Sequence, residues 1–268
     1  MTKTILITGA TDGIGAETAK HLASLGHRLL VHGRNPSKVE RTVSELSALD
    51  GGGPVEGFVA DLSVLAQVDA FARAVGEAHE SLDVVIHNAG VFTAPDARTS
   101  DGLDVRFAVN TIAPYRLTQR LMPALGPSAR VVNLSSAAQS PVDLDALAGG
   151  VPLTDGPAYA QSKLALTMWS NHLARSLGDS GPVVVAVNPG SMLRTKMVKD
   201  AYGVAGSDIR IGVDVLARAA LSDEFADASG RYFDNDAGRF GPPHPDALDP
   251  DKCAAVVEAI EAVLARPR

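Results

Sequence analysis

Short apolar runs, rich in β-branched residues, recur at 4–8, 28–32, 55–59, 84–87, 130–134 and 183–187. They show little alternation of apolar and polar positions, the pattern of strands covered on both faces. Longer stretches lie between or after them, at 16–25, 38–49, 65–79, 103–125 and 159–177, and their apolar positions return near helical spacing. A final helix is expected over about 251–264. Strict alternation of strand and helix predicts an α/β, doubly wound, Rossmann-type fold: a mostly parallel sheet with helices on both faces. Gly51-Gly52-Gly53 before Pro54 is too short a break to separate two units, so 1–268 is expected to form a single domain. Two stretches interrupt the rhythm. Residues 140–157 are rich in Gly, Pro and Asp around an apolar patch at Leu144, Ala146 and Leu147, and 235–250 carry Pro242, Pro243 and Pro245.

Composition narrows the setting. Hydrophobic residues make up 46% of the chain and charged residues 21%, enough apolar material for a shared core and against disorder. A formal net charge of -7 offers no general attraction for polyanions, so neither nucleic acid nor an anionic membrane is the expected partner. No apolar run approaches the roughly 20 residues that span a bilayer, and the first residues enter a strand-like run with no secretory signal pattern. The single cysteine, Cys253, has no internal disulfide partner, and a cytoplasmic location is expected. Histidines at 21, 27, 32, 79, 87, 172 and 244 show no HxH or HExxH spacing, so no metal site is expected.

Chemistry enters at Thr8-Gly9-Ala10-Thr11-Asp12-Gly13-Ile14-Gly15, which follows the first strand and opens the first helix. Glycines there let the backbone turn tightly, and the free N–H groups and dipole of the helix N-terminus favour a pyrophosphate. This turn resembles the TGxxxGxG fingerprint of the short-chain dehydrogenase/reductase family. Four further segments carry the resemblance in the right order: Asp61-Leu62, Asn88-Ala89-Gly90, Asn110 within Val109-Asn110-Thr111, and Tyr159-Ala160-Gln161-Ser162-Lys163. Asn188-Pro189-Gly190 with Thr195 is similar to the family's PG segment. The resemblance implies cofactor contacts at Gly9, Thr11, Asp12, Gly13, Ile14, Gly15, Asp61, Leu62, Asn88, Ala89, Gly90, Tyr159, Lys163, Pro189, Gly190 and Thr195. It implies catalysis by Asn110, Ser136, Tyr159 and Lys163.

The residue types suit hydride transfer at a carbonyl or alcohol carbon. Tyr159 and Lys163 stand four apart on a helix and so project from one face. A free tyrosine titrates near 10, too high for proton exchange at neutral pH. An ammonium about 4 Å away, at an effective dielectric of roughly 20, favours the tyrosinate by about 4 kcal/mol. That is roughly three pKa units. Ser136 ends the fifth strand and can hold the substrate oxygen, with Ser135 as the alternative, and Asn110 is similar to the family residue that organises a water relay behind the lysine.

Three departures from the family pattern stand out. The stretch from Ser136 to Tyr159 is long, which makes 140–157 an insertion at the substrate mouth, as in some retinol-dehydrogenase-like and carbonyl-reductase-like branches. It is expected to act as a mobile gate, with 192–206 as the other substrate loop. Thr195 lies one residue farther from Pro189-Gly190 than in PGxxxT, and His87 replaces an asparagine. After the second strand, Gly33 stands where an NAD-preferring member usually carries an acid, and Arg34 follows with Asn35 beside it, so NADP is favoured over NAD. Lys38 and Ser37 are candidates to assist. Met192, Met197, Tyr202 and Phe240 are candidate lining for an apolar pocket, and Trp169 belongs to the core or to a contact within a homo-oligomer. The rival class is a dinucleotide-sensing regulator that kept the fold and lost turnover, which would normally lack Tyr159 or Lys163. A nucleotide-sugar epimerase would normally carry a longer substrate domain and a GxxGxxG turn.

Overall fold

The computed structural model describes residues 2–267, all but the side chain of Tyr202. Strands β1 (Thr4–Ile7), β2 (Arg28–Gly33), β3 (Val55–Val59), β4 (Leu82–His87), β5 (Leu125–Leu134) and β6 (Val183–Asn188) form the parallel body of an eight-stranded sheet. Its order is β3-β2-β1-β4-β5-β6-β7-β8, where β7 (Tyr232–Asp234) is parallel to β6 and β8 (Arg239–Gly241) returns antiparallel at the edge. The winding reverses between β1 and β4, which opens a crevice outside the carboxyl ends of those two strands.

Alternate residues of the inner strands face opposite sides. Ile5, Ile7, Leu29, Val31, Val84 and Ile86 pack with α1 (Gly13–Ser24), α2 (Pro36–Ser47) and α9 (Arg210–Leu221). Leu6, Leu30, Val85 and Val131 pack with α3 (Leu65–Ala78), α5 (Ala113–Leu121), α7 (Asp155–Leu177) and α10 (Pro250–Leu264). Burial on both faces is why the strand runs lack alternation, and each such side chain contributes about 1.5–3 kcal/mol of transfer free energy. α5 is entered from α4 (Val105–Phe107) through a π-helical turn, Ala108–Ile112. Trp169 is fully buried in the core, edge-on to Tyr115 at 5.6 Å.

Four elements lie outside the sequence-based expectation: β7, β8, α8 (Lys196–Tyr202) and α9. The two strands are too short to show a period. In α9 Val213, Val215, Leu216, Ala217, Ala219 and Ala220 are buried, an apolar stripe as marked as those of the expected helices. The stretch 140–157 also differs from the free loop expected of it. It contains α6 (Leu144–Leu147), capped by Asp143 Oδ1, which accepts from Asp145 N (2.9 Å) and Ala146 N (3.0 Å). Ala146 and Leu147 are fully buried in the core, and Arg266 donates to the Ala148 carbonyl. Gly149, at φ +83°, passes so close to the 99–103 segment that a Cβ there would lie 2.3 Å from the Gly102 oxygen. The insertion is therefore docked onto the core. α7 begins at Asp155, so Tyr159 lies one turn inside that helix.

Candidate active site

The glycine turn is locked from three sides. Asn88 Nδ2 donates to the carbonyls of Thr8 (2.9 Å) and Gly9 (3.0 Å), and Thr8 Oγ1 accepts from the N–H groups of Asn88 and Ala89 (3.1 Å each). A Cβ on Gly15 would lie 2.2 Å from Asn88 Nδ2, and one on Gly9 would lie 2.9 Å from Ala89 Cα. Glycine at these two positions is thus required by the fit of the β1 turn against the β4 turn. His32 holds the third side: its Nδ1 accepts from Gly9 N (3.2 Å), its Nε2 donates to the Ala60 carbonyl (3.0 Å), and its ring stacks on Phe71. Burial pushes this imidazole down to about 4, which keeps it neutral as the Nε2–H tautomer at ordinary pH.

A cleft of about 500 Å³ follows these turns at the carboxyl ends of the strands. It takes in Gly9, Thr11, Asp12, Gly13 and Ile14 from the glycine turn, Arg34 and Lys38 from the β2 side, and Asp61 and Leu62 after β3. Asn88, Ala89 and Gly90 line it after β4, with Tyr159 and Lys163 of α7 and Pro189 and Thr195 beyond β6. Asp12 caps α1 through Gly13 N (2.9 Å) and pairs with Lys38 Nζ at 3.2 Å. Asp61 Oδ1 accepts from the N–H and hydroxyl of Ser63.

On α7, the Lys163 ammonium stands 5.7 Å from the centre of the Tyr159 ring and donates to the Leu134 carbonyl at 2.7 Å. Desolvation by burial pulls it down to about 8. The Tyr159 ring packs on Phe92 at 4.8 Å. Asn110 lies in the π-helical turn, a distortion that often marks functional sites. Its Oδ1 accepts from Val91 N (2.8 Å), and its Nδ2 donates to the Val91 carbonyl and to Ser162 Oγ (2.9 Å each). The segment after β4 is thereby tied to α7. A Cβ placed on Gly90 would touch Asn110 Oδ1 and Lys163 Nζ at 3.6 Å, so glycine there leaves both polar groups uncovered by a side chain.

The two serines after β5 are placed differently. Ser135 is buried, and its hydroxyl bonds Thr167 Oγ1 (2.7 Å) and the Lys163 carbonyl (3.3 Å). Ser136 Oγ accepts from Ala138 N (3.1 Å), and of the two serines it is Ser135, not the expected Ser136, that lines the cleft. The Ser136 carbonyl is gripped by Gln139 Nε2 (2.9 Å) and the Tyr232 hydroxyl (3.1 Å).

Residues 3–203 match the family described as short chain dehydrogenase. The chain belongs to the short chain dehydrogenase family. Among curated relatives it is 36% identical over 207 residues to human polyprenol dehydrogenase, covering 74% of this chain and 62% of that one. To bovine retinol dehydrogenase 12 it is 37% identical over 244 residues, covering 86% of this chain and 77% of that one. The chain thus spans less than two thirds of the first relative and about three quarters of the second. Among solved structures, a metagenomic short-chain oxidoreductase in complex with NADP is 31% identical with a TM-score of 0.61, covering 81% of this chain and 90% of that one.

Three residues expected at the cofactor, Gly15, Asn35 and Gly190, stand beside the cleft in supporting positions, while Thr195 lines it. Gly15 packs against Asn88, and Asn35 caps α2, its Oδ1 accepting from Lys38 N. Gly190 adopts φ +114° beyond β6, and Thr195 caps α8 by accepting from Val198 N while its methyl approaches Gly13. Of the apolar candidates, Met197 lines the cleft and Met192 is exposed. Phe240 packs instead with Phe225 and Phe233, because β8 places it at the sheet edge. The Tyr202 side chain lies outside the described residues. Sequence reasoning did not identify His32, Phe92, Lys196 or Asp200 as cleft residues. Proximity to the Asn88-Ala89-Gly90 motif was the only signal for Phe92, and nothing in the sequence pairs His32 with Gly9. His87 is fully buried against Thr118 (2.8 Å), and desolvation pushes it down to about 3. Among the described residues no group of three or more His, Cys, Asp or Glu is arranged to hold a metal, and no helix is long and apolar enough to cross a membrane.

Proposed function

We propose that the whole chain, 1–268, works as one NADP-dependent oxidoreductase that moves hydride between nicotinamide and a carbonyl or alcohol carbon. The observation that carries this reading is Tyr159 and a buried Lys163 on one face of α7, opening into the cleft built on the glycine turn. The residues fit a dinucleotide: Gly13, at φ +56°, and Gly90 add no side-chain bulk at the α1 N-terminus and beside Lys163. Gly9 to Gly15 would hold the pyrophosphate, Asp61 and Leu62 the adenine, and Asn88 to Gly90 the ribose side. Pro189, Gly190 and Thr195 would hold the nicotinamide. Bound there, the cofactor supplies or accepts the hydride.

The remaining chemistry belongs to the chain. Ser136 donates a hydrogen bond to the substrate oxygen, and Tyr159 gives it a proton in reduction or takes one in oxidation. The Lys163 ammonium stabilises the tyrosinate, and Asn110 holds the segment and helix that flank it. NADP is favoured because Gly33 carries no acid and Arg34 is exposed at the cleft; a Cβ on Gly33 would lie 2.5 Å from Thr11 Cγ2, so an acid has no room there. Val91, Phe92, Val109 and Met197 give the cleft apolar lining. Together with the retinol and polyprenol relatives, this favours an apolar alcohol or aldehyde, admitted past 140–157 and 192–206. A cytoplasmic protein, alone or as a homo-oligomer, completes the reading.

NADPH consumption against a panel of aldehydes and ketones, with retinal and isoprenoid aldehydes included, tests it. An apolar aldehyde should be reduced with NADPH and far more slowly with NADH. Tight NADPH binding with no turnover of any carbonyl or alcohol would overturn catalysis in favour of a dinucleotide sensor.

A further inference from the structure

Arg106 is a charged residue with no role in the chemistry above, and it is 0% exposed. Its Nη1 donates to Asp155 Oδ1 and its Nη2 to Asp104 Oδ2, each at 2.6 Å, while its buried Nε has no hydrogen-bond partner. Burying a guanidinium with one unmet N–H is a poor route to stability, because apolar residues of similar volume often serve as well or better. Such a pair is better understood by what it positions.

Its location is specific. Asp155 is the first residue of α7, one turn before Tyr159, and Arg106 stands one turn before Asn110. The next rung of contacts joins the same two segments: Asn110 Nδ2 donates to Ser162 Oγ, Thr111 Oγ1 to the Ser162 carbonyl, and Ser162 Oγ to the Tyr159 carbonyl. The first turn of α7 needs outside support. Its N-cap, Thr154, makes no side-chain capping bond, Gly156 and Pro157 are exposed, and Ala158 is its one buried residue. The Asp155 side chain, 44% exposed, is joined to the interior by Arg106.

We propose that Arg106 is a positioning residue of the active site: by clamping Asp155 and Asp104 in one buried network it fixes the α7 turn that carries Tyr159 against the helix that carries Asn110. The proposal rests on the Tyr159–Lys163 reading, and its test separates the two. Tyrosinate absorbance is titrated with pH in the presence of saturating NADP⁺, and the curve of the matching Tyr159→Phe protein is subtracted to isolate Tyr159. Wild type should show Tyr159 titrating well below the ordinary value near 10. Arg106→Met should raise that midpoint by about one unit or more, with little change in NADP⁺ affinity. Arg106→Lys should restore part of the shift, since one ammonium can hold one carboxylate. Asp155→Asn, at a partly exposed position that leaves Arg106 paired with Asp104, should move the midpoint the same way if Arg106→Met does not fold. A lower melting temperature with an unmoved Tyr159 midpoint in these variants would overturn the proposal and leave Arg106 a purely structural residue. A wild-type midpoint near 10 would overturn the Tyr159–Lys163 reading itself, and the positioning role with it.

Discussion

Replacing Lys163 with methionine keeps an unbranched side chain and removes an ammonium that is only 4% exposed. Desolvation takes that group from 10.5 to about 8, equivalent to about 3 kcal/mol against its charged form. Between those two pH values the unfolded chain binds more protons than the folded one, so wild-type stability rises with pH across the window. Below about 8 both states are charged and the full cost of burial is present. Lys163→Met has no such term. Its stability relative to wild type should therefore be highest at neutral pH and fall by about 3 kcal/mol as pH approaches 10.5. Loss of the hydrogen bond to Leu134 offsets the comparison by about 1 kcal/mol, a nearly constant amount. Urea unfolding of both proteins without cofactor, at a series of pH values, measures the difference directly. A gap that stays constant or widens across the window would refute the reasoning. The same variant should lose both turnover and cofactor affinity, which identifies the buried charge as a functional cost to the fold.

Gly33→Asp alone should weaken both cofactors, since its Cβ would lie 2.5 Å from Thr11 Cγ2 and 2.9 Å from Val39 Cγ2. Combined with Thr11→Ser, which removes the nearer methyl, it should turn the preference toward NADH; fluorescence titration that still shows an NADPH preference would contradict the assignment of Gly33. His87 is held neutral by burial with its pKa near 3, so between the unfolded value of 6.5 and that limit the folded state binds fewer protons and stability falls with falling pH. His87→Asn should flatten this acid limb by about 3 kcal/mol between pH 6.5 and pH 4, and denaturation curves with equal pH dependence in the two proteins would exclude the effect. His32 contributes to the same limb in the same direction, through its own shift to about 4.

The central strands were legible because burial on both faces writes continuous apolar runs such as Leu29-Leu30-Val31 into the sequence. Three-residue β7 and β8 leave no comparable signal, and α6 hides within a Gly- and Pro-rich stretch although Ala146 and Leu147 are core residues. The site was legible as motifs and illegible as geometry. The glycine spacing pointed to the turn, and the Gly9 carbonyl within that turn is one reason position 15 must be glycine; the other, Asn88, is a neighbour only in the folded chain. Arg106 showed a similar limit: a lone arginine in an apolar stretch predicts neither complete burial nor a carboxylate partner 49 residues away.

The central claim is that Tyr159 exchanges the proton while the glycine-turn cleft independently holds the dinucleotide. Tyr159→Phe keeps the ring against Phe92 and removes only the hydroxyl. With the best carbonyl substrate of the panel, turnover by Tyr159→Phe should fall by at least 10²-fold, the lower range for loss of a positioned general acid, while its NADPH dissociation constant stays within about threefold of wild type. Near-normal turnover would contradict the account and move the proton chemistry to another group.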